Sequence, residues 1–378
     1  MTALDGVFLA LIAPGALFYL LGTLLLALQR LRPRAPIATD VPITVLKPLA
    51  GNRPGLERAL ESFLTQTHPT VQIIFGVASE DDPAHGVAST LIQKHPGRDA
   101  VIVLGGAPLG PNRKATNLHY MMARAKHDLL LVSDDDVIAD PDLLSRLAGD
   151  MADPAVGLVT TSYWVRPTGL ALALQGLTMA TEFFPGVAIA QVMGGGLSFA
   201  LGAASLVRRK LLEDLGGFQS LVDYLADDFL LGRRGRQKGW KIRLSRERVE
   251  LTEHYEALGS YLRHQARWSR TYRVCQPVGY FSSILNHGLS WAALYLAATG
   301  ASPRSRMMAG ALLGFRMLSA AIQVSLTRPG LLWAWIWLVP FRDLLSTALW
   351  AASFLGNRVE WRGRRYRVRR GGRLEALP

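Results

Sequence analysis

Three consecutive aspartates end an apolar, β-forming run in the middle of the chain. The segment 128–136 is DLLLVSDDD, so Asp134, Asp135 and Asp136 lie at the end of a predicted strand. Ligands of open α/β sheets collect beyond the carboxyl ends of the strands. An Asp-x-Asp arrangement there can present two carboxylates to a hard cation that holds a diphosphate. A solvated acidic turn before the helix predicted near Pro141 is the alternative, but repulsion among three carboxylates favours a bound cation.

Two further acidic features and one basic, aromatic segment flank the triple aspartate. Asp82 precedes Pro83 after another predicted strand, Asp228 lies in LADDF at the start of a helical pattern, and HQARW occupies 264–268. Taken singly, Asp82 would be an ordinary turn opener and Asp227 a helix N-cap. The occurrence of all four features in this order is what indicates a binding site.

The elements that must position these residues alternate between strand-like and helix-like patterns. Leu56, Leu60, Phe63 and Leu64 recur at helical spacing. Short β-forming runs flank this helix and continue beyond it, at 41–49, 71–79, 100–106, 128–136 and 157–165. Such alternation predicts one cytosolic α/β domain over 36–280, with a mostly parallel sheet and crossover helices.

The chain is too apolar for an ordinary soluble enzyme, because 49% of its 378 residues are hydrophobic and its mean hydropathy is +0.18. Residues 7–28 are a run of 22 without a charge, and a helix needs about 20 apolar residues to cross a bilayer. Arg30, Arg32 and Arg34 follow the run. They favour a transmembrane anchor over 1–35 whose carboxyl end is cytosolic, with a cleaved signal peptide as the alternative.

Hydrophobic segments return after the α/β region and predict membrane and interfacial helices over 281–356. Isolated charges within a bilayer are unfavourable unless they are paired or face water. Arg342 and Asp343 therefore predict that the last segment is broken or faces protein, and a fold-back near Pro340 would keep the number of crossings even. The candidate segments are 284–298, which is the candidate for the interface, 307–326 and 331–356.

The formal net charge of +13 is concentrated at the carboxyl end. The last 22 residues, 357–378, contain eight arginines and two glutamates. This pattern predicts a cytosolic Arg-rich tail on anionic headgroups, and no nucleic-acid-binding motif accompanies it. Cys275 is the one cysteine, so no internal disulfide can form, in agreement with a reducing compartment.

The acidic series resembles that of processive-type and lipid-directed family-2-like glycosyltransferases, whose motif is D, D, D, (Q/R)xxRW. Nearly the whole chain, about 43–372, is similar to the family-21 ceramide glucosyltransferases and to their sister group, the hopanoid-associated N-acetylglucosaminyltransferases. The resemblance implies a GT-A fold, an α/β architecture with a Rossmann-like mixed sheet. The segments that carry it are VLKPLAGNRPGLERALESF, EDDPA, GPNRKATNL, GLV, LADDF and WRGRRYRVRRGG for the first group, and TEFFPGVAIA, ALGAASLVRRKLL and HQARWSRTYR for the second.

Carried over, the resemblance implies roles for the acidic residues. Asp82 would contact the uracil or ribose of a UDP-sugar, and Asp134 and Asp136 would hold Mg2+ or Mn2+ on its diphosphate. Asp228 would be the base that takes the proton of the acceptor hydroxyl.

The basic and aromatic residues would serve the donor. Arg267 would bind phosphate oxygens and Trp268 would stack on sugar or line the acceptor entrance, while Lys114 is either a second diphosphate contact or a solvated lysine. His264 stands where the motif has Gln or Arg, although its ring could still donate to phosphate. Two positions remain to be weighed: Phe184, where ceramide glucosyltransferases have a histidine, and His254, a further ligand or a surface residue.

These patterns predict an inverting glycosyltransferase that moves one hexose or N-acetylhexosamine from a UDP-sugar to the hydroxyl of a membrane lipid. The expected acceptor is a ceramide or a hopanoid polyol, and the expected location is a bacterial inner membrane. A processive polysaccharide synthase shares the motif series but needs a wider multi-helix channel. A non-catalytic membrane scaffold is the third candidate, for which Asp228→Asn would change no chemistry.

Overall fold

The structure is a computed structural model that describes residues 2–255, 257–327, 330–361 and 364–377. Its strands form a sheet of eight, in the order β3-β2-β1-β4-β7-β6-β8-β5, and a sheet of three, in the order β11-β10-β9. The strands are β1 (Ile43–Pro48), β2 (Val71–Val77), β3 (Asp99–Leu104), β4 (Leu129–Ser133), β5 (Val137–Ile138), β6 (Val156–Val165), β7 (Ala204–Arg208), β8 (Lys241–Leu251), β9 (Arg358–Trp361), β10 (Arg364–Val368) and β11 (Leu374–Ala376).

Fourteen α-helices are present in the described residues. They are α1 (Ala3–Leu31), α2 (Leu56–Leu64), α3 (Pro83–Lys94), α4 (Arg113–Met122), α5 (Leu143–Asp150), α6 (Leu170–Thr178), α7 (Phe184–Met193), α8 (Arg209–Asp214), α9 (Asp227–Gln237), α10 (Leu258–Cys275), α11 (Pro277–Ser282), α12 (Gly288–Ala298), α13 (Pro303–Thr327) and α14 (Val339–Ser353). A π-helical turn, Met179–Phe183, joins α6 to α7.

The large sheet is mixed, as the resemblance implied. Strands β1 to β4 are parallel, whereas β7 runs antiparallel to both β4 and β6. Strands β1 and β2 are buried along their whole length, because helices cover both faces of the sheet. All five strands predicted from sequence are present. The parallel arrangement brings the carboxyl ends of β1, β2 and β4 to one edge, where the acidic residues follow.

Three helical segments are long and apolar enough to cross a membrane by length and composition, among the described residues. They are α1, the α6–α7 segment Leu170–Met193 and α13. Helices α1 and α13 were predicted, but α6–α7 was not. Helix α1 packs closely on its neighbours because it carries glycine where they approach: a Cβ at Gly15 would lie 2.5 Å from the Cα of Gly288 in α12.

The last predicted hydrophobic segment is broken, as its charges indicated. A 3₁₀ turn, Trp333–Leu338, precedes α14, and the charged pair of α14 is buried. Asp343 accepts from Arg316 of α13 at 2.7 and 3.0 Å and contacts Arg342 at 2.5 Å. The charges are therefore paired inside the group of helices α1, α6, α7 and α12 to α14, which we call the helical bundle.

The Arg-rich carboxyl segment folds into the three-stranded sheet. Its backbone is bound to the segment before α9, because Leu225 N donates to Gly372 O at 3.0 Å and Leu374 N donates to Asp223 O at 2.7 Å. Arg362, one of the eight arginines, lies outside the described residues. The described part of this segment is thus folded and bonded to the segment before α9, and its contact with anionic headgroups stays a prediction.

Candidate active site

The triple aspartate lies in a loop that is fixed by two neighbouring strands. Asp134 N donates to Ala203 O at 3.0 Å, just before β7, and Thr252 N donates to Asp136 O at 2.8 Å, just after β8. These bonds hold the backbone between the strand ends. The side chains of Asp134 and Asp136 are consequently presented at the edge of the sheet from a rigid support.

A buried lysine that was not predicted from the sequence donates hydrogen bonds to the backbone and side chain at the start of this loop. Lys47 of β1 is fully buried, and its Nζ donates to Ser133 Oγ at 3.3 Å and to the carbonyl oxygen of Asp134. Burial lowers the pKa of Lys47 to about 8, although the three aspartates oppose that shift. A lysine within an otherwise apolar strand was the signal that could have identified it.

Lys114, which was predicted to bind the donor, forms ion pairs with Asp134 and Asp227. Its Nζ lies 2.5 Å from Asp134 Oδ1 and 3.7 Å from Asp227 Oδ2. Burial alone would lower the pKa of Lys114, but Asp134, Asp227 and Asp228 raise it above its ordinary value. The residue is therefore a fixed cation in the site and not a solvated lysine.

Asp228 and Asp134 converge on one glycine. A Cβ at Gly202 would lie 2.7 Å from Asp228 Oδ2 and 3.9 Å from Asp134 Oδ2, so the absence of a side chain leaves room for both carboxylates. Burial and the neighbouring Asp227 raise the pKa of Asp228 to about 7, against the opposing charge of Lys114. A carboxylate with such a pKa can accept a proton near neutral pH.

The acidic residues have the composition that a hard divalent cation prefers. Burial, Asp134 and Asp135 raise the pKa of Asp136 to about 7, which shows that negative charge accumulates there. The space over Gly202 is lined by carboxylate oxygens, the ligands of Mg2+ and Mn2+. No group of three or more acidic, histidine or cysteine residues that could hold a metal ion occurs in the described residues. The binding of a metal by Asp134 and Asp136 stays a prediction.

Asp82 is a helix cap and a loop anchor. Its Oδ1 accepts from Ala84 N at 2.9 Å at the start of α3 and from Gly51 N at 2.8 Å. The Gly51 loop continues to Arg53, whose Nη1 lies 3.8 Å from Asp135 Oδ1. Asp82 thus borders the acidic loop through the segment after β1, and its contact with a nucleotide stays a prediction.

Helix α10 brings the HQARW residues to the same edge. His264 Nδ1 lies 2.6 Å from the Tyr255 hydroxyl, which also donates to Glu253 at 2.9 Å. Burial, Arg267 and Arg53 lower the pKa of His264 to about 3, so its ring is neutral at pH 7. Its Nε2 is buried and has no hydrogen-bond partner among the described residues.

Glu253 and Tyr255 were missed, because they follow β8 in a segment with no distinctive motif. Burial and the charge of Asp136 raise the pKa of Glu253 to about 7, whereas Arg267 lowers it. Glu253 therefore interacts with Asp136 of the triple aspartate and with Arg267 of α10. The neighbouring His254 is exposed, in agreement with a surface residue.

An aromatic cluster joins the site to the unpredicted candidate span. The ring of Phe183, in the π-helical turn, lies 6.3 Å from that of Trp268 and 6.1 Å from that of Tyr272. Burial and the charge of Asp228 raise the pKa of Tyr272, which places the tyrosine near the candidate base. Phe184 packs edge-to-face on Phe183 at 5.1 Å. The candidate active site therefore borders a helical segment that is long and apolar enough to cross a membrane.

Comparisons with known proteins identify the family and the fold of this chain. The profile of Glycosyl transferase family 21 matches residues 7–374. Ceramide glucosyltransferase 1 of Caenorhabditis elegans is 23% identical over 88% of this chain and 72% of its own length. Ceramide glucosyltransferase 3 of that organism is 27% identical over 60% of this chain and 49% of its own length. A mannosyltransferase of Pyrobaculum calidifontis, solved with GDP-Man and Mn2+, shares the fold with a TM-score of 0.61 at 19% identity, covering 93% of this chain and 99% of that one.

Proposed function

The chain belongs to glycosyl transferase family 21, and we propose that it moves one hexose or N-acetylhexosamine from a UDP-sugar to the hydroxyl of a ceramide or hopanoid polyol, with inversion. The observation that carries the proposal is the meeting of three features at one edge of the sheet. These are the carboxylates over Gly202, the cation Lys114, and the aromatic residues of α10 that contact a candidate membrane segment.

Asp228 is the proposed base. In an inverting transfer, the acceptor oxygen attacks the anomeric carbon, its proton passes to Asp228, and the bond from carbon to the diphosphate oxygen breaks. The pKa of about 7 allows this residue to be ionised before the transfer and protonated after it. Its carboxylate is oriented by the backbone, because Oδ1 accepts from Phe229 N at 2.7 Å.

Basic residues of the chain would hold the donor. A Mg2+ or Mn2+ ion on Asp134 and Asp136 would stabilise the departing diphosphate as a Lewis acid. Lys114 and Arg267 would contact phosphate oxygens from the two sides of the acidic loop. His264 would accept a hydrogen bond from a hydroxyl of the donor at Nε2, the atom that has no partner among the described residues, because the proton of the neutral ring lies on Nδ1, facing the Tyr255 hydroxyl. Trp268 would stack on the sugar and Asp82 would contact the nucleoside.

The membrane contacts support a lipid acceptor. A long-chain lipid leaves a bilayer slowly, since each buried methylene contributes about 0.8 kcal/mol, so the site must be brought to the lipid. Phe183 belongs to a segment with the length and composition of a membrane span and also contacts Trp268. Arg30, Arg32 and Arg34 at the carboxyl end of α1 favour a cytosolic α/β region on a bacterial inner membrane.

The proposal is tested on the donor side by UDP release from purified full-length protein in nanodiscs, with and without Mn2+ or Mg2+. We expect release only with a metal, and we expect Asp134→Asn and Asp136→Asn each to raise the metal concentration that is needed. Asp40→Asn, an exposed carboxylate before β1, is the matched control and should behave as the parent protein. Undiminished release in excess chelator would refute the metal requirement.

A further inference from the structure

A cleft between membrane helices and strands lies apart from the described acidic and HQARW residues. Helices α1, α7 and α13 form it together with β6 and β8, and it is open to solvent on one side. None of the candidate metal ligands, donor-binding residues or the candidate base lines it in the described part of the chain. We call it the arginine cleft, after the four arginines among its lining residues: Arg30, Arg32, Arg246 and Arg248.

Positive side chains outnumber negative ones among the described residues that line the arginine cleft. None of its described lining residues is acidic. The nearest acid in sequence, Glu247, is buried and lies 3.6 Å from Arg34 and 3.9 Å from Arg146. Burial, followed by the positive charges of Arg30 and Arg34, lowers the pKa of Arg246. An anion in the cleft would therefore relieve repulsion among these side chains.

Arg246 has a donor available for such an anion. Its Nη1 donates to the backbone oxygen of Arg32, but its Nε is buried and has no hydrogen-bond partner among the described residues. A guanidinium has five N–H donors in a planar fork, which matches the oxygens of a phosphate. A buried donor without a partner is unfavourable, so this geometry favours an anionic ligand that accepts from Arg246.

The opposite wall of the cleft is apolar and lies at the ends of two candidate membrane spans. Leu26 is near the carboxyl end of α1, and Leu326 is near the carboxyl end of α13. An apolar wall does not stabilise a free phosphate ion, whereas it can pack against an acyl chain. The remaining apolar lining residues are Tyr163, Trp164, Phe184 and Leu244.

We propose that the arginine cleft binds the phosphate headgroup of an anionic phospholipid whose acyl chain lies along α1 and α13. Charge complementarity selects the headgroup, and the helix ends place it at the membrane surface. Because Arg246 and Arg248 belong to β8, the bound lipid would fix the large sheet against the bilayer. This site differs from the carboxyl segment 357–378, to which sequence alone assigned the anionic headgroups.

Native mass spectrometry of the full chain in detergent, titrated with phosphatidylglycerol or phosphatidylcholine, tests the proposal. We expect saturable binding of phosphatidylglycerol and much weaker binding of phosphatidylcholine. Arg246→Gln with Arg248→Gln should weaken phosphatidylglycerol binding by about tenfold or more. Arg30→Gln with Arg32→Gln should do the same, and because those two side chains are exposed, this variant separates lost binding from lost folding.

The matched control removes two positive charges from the carboxyl segment, by Arg364→Gln with Arg365→Gln. Both residues are exposed, and this variant should bind phosphatidylglycerol as the parent chain does. Loss of binding in the control but not in the cleft variants would overturn the proposal. So would equal binding of the two lipids, or displacement of the lipid by millimolar inorganic phosphate, which would show a site for a free anion.

Discussion

At the scale of single residues, the site depends on space as much as on charge. Asp228 and Asp134 approach each other because Gly202 has no side chain between them. Lys114 then holds Asp134 by an ion pair at 2.5 Å. The position of the candidate base is thus set by one glycine, one cation and the start of α9.

Gly202→Ala should therefore reduce transfer while the protein stays folded. Its Cβ would lie 2.7 Å from Asp228 Oδ2 and would displace that carboxylate. A misplacement of about 1 Å can lower a rate by about 10²-fold. The rate of sugar transfer and the thermal unfolding midpoint in detergent would be measured together. Gly279→Ala, in α11 with no atom within 4 Å of its new Cβ, is the control; equal rates in the two variants would contradict the role of Gly202.

Residues that belong to a sequence motif were predicted, whereas buried residues that contact the motif residues were not. The acidic series and HQARW follow strand ends and a helix start, so their types and order predicted them. Lys47 and Glu253 come from β1 and from the segment after β8, and their importance depends on burial beside the triple aspartate. Burial of an individual polar residue follows from the tertiary fold, which local pattern does not specify.

At the scale of elements, paired charges hold the helical bundle together. Arg316 of α13 and Asp343 of α14 are both almost fully buried, and Arg316 also donates to Thr181 at the π-helical turn. The bundle thereby connects α13 and α14 to the α6–α7 segment, which contacts the candidate active site.

Asp343→Asn should destabilise the protein by about 3–5 kcal/mol, because two buried arginines would lose their shared carboxylate. The expected observation is a much lower thermal unfolding midpoint in detergent. Asp99→Asn is a matched control, since Asp99 forms an ion pair with Lys126 at the same distance, 2.7 Å, but at the surface. Exposed pairs contribute about 0–1 kcal/mol, so comparable destabilisation in both variants would argue against the buried network.

Hydropathy predicted α1 and α13 but not the α6–α7 segment. That segment is less hydrophobic than α1, and most of it is buried within the protein. Polar residues such as Thr181 and Glu182 lower its hydropathy, and both accept hydrogen bonds from the buried Arg342. Sequence pattern alone does not distinguish such a protein-facing helix from part of the α/β region.

At the scale of the whole molecule, the amino-terminal helix and the carboxyl-terminal sheet both pack against elements that are distant in sequence. Helix α1 packs within the helical bundle, and the carboxyl sheet contacts the segment that leads into α9. Val359, Tyr366, Val368 and Leu374 form a small buried cluster with Leu225. The division into an anchor, a catalytic domain, a membrane region and a tail stays a prediction.

Removal of 357–378 should abolish most transfer while leaving the protein in the membrane. The deletion would expose Leu225 and release the backbone bonds beside Asp223, so Asp228 would lose its support. Transfer activity and sedimentation with membranes would be measured in parallel. Arg364→Gln with Arg365→Gln, which keeps the apolar cluster, should retain activity. Full activity in the deletion variant would show that the sheet does not support the site.

An α/β architecture followed from the alternating patterns, which predicted a mostly parallel sheet. The mixed sheet and the fold of a glycosyltransferase followed from the resemblance that the motif series carries. The three candidate spans in the described residues suit transfer of one sugar better than a polysaccharide channel. A strand was expected immediately before His254, where β8 lies. Strands β5 and β7 were not predicted, since they are short and are specified by pairing with distant strands.

The most direct test of the central claim is a transfer assay on the full chain in nanodiscs with Mn2+ or Mg2+. It pairs UDP-glucose and UDP-N-acetylglucosamine with ceramide and a hopanoid polyol, and it identifies the glycolipid and its anomeric configuration. We expect product with inverted configuration from one pairing and a rate about 10²–10⁴-fold lower in Asp228→Asn. No product and no UDP release from any pairing, or an unchanged rate in Asp228→Asn, would contradict the account.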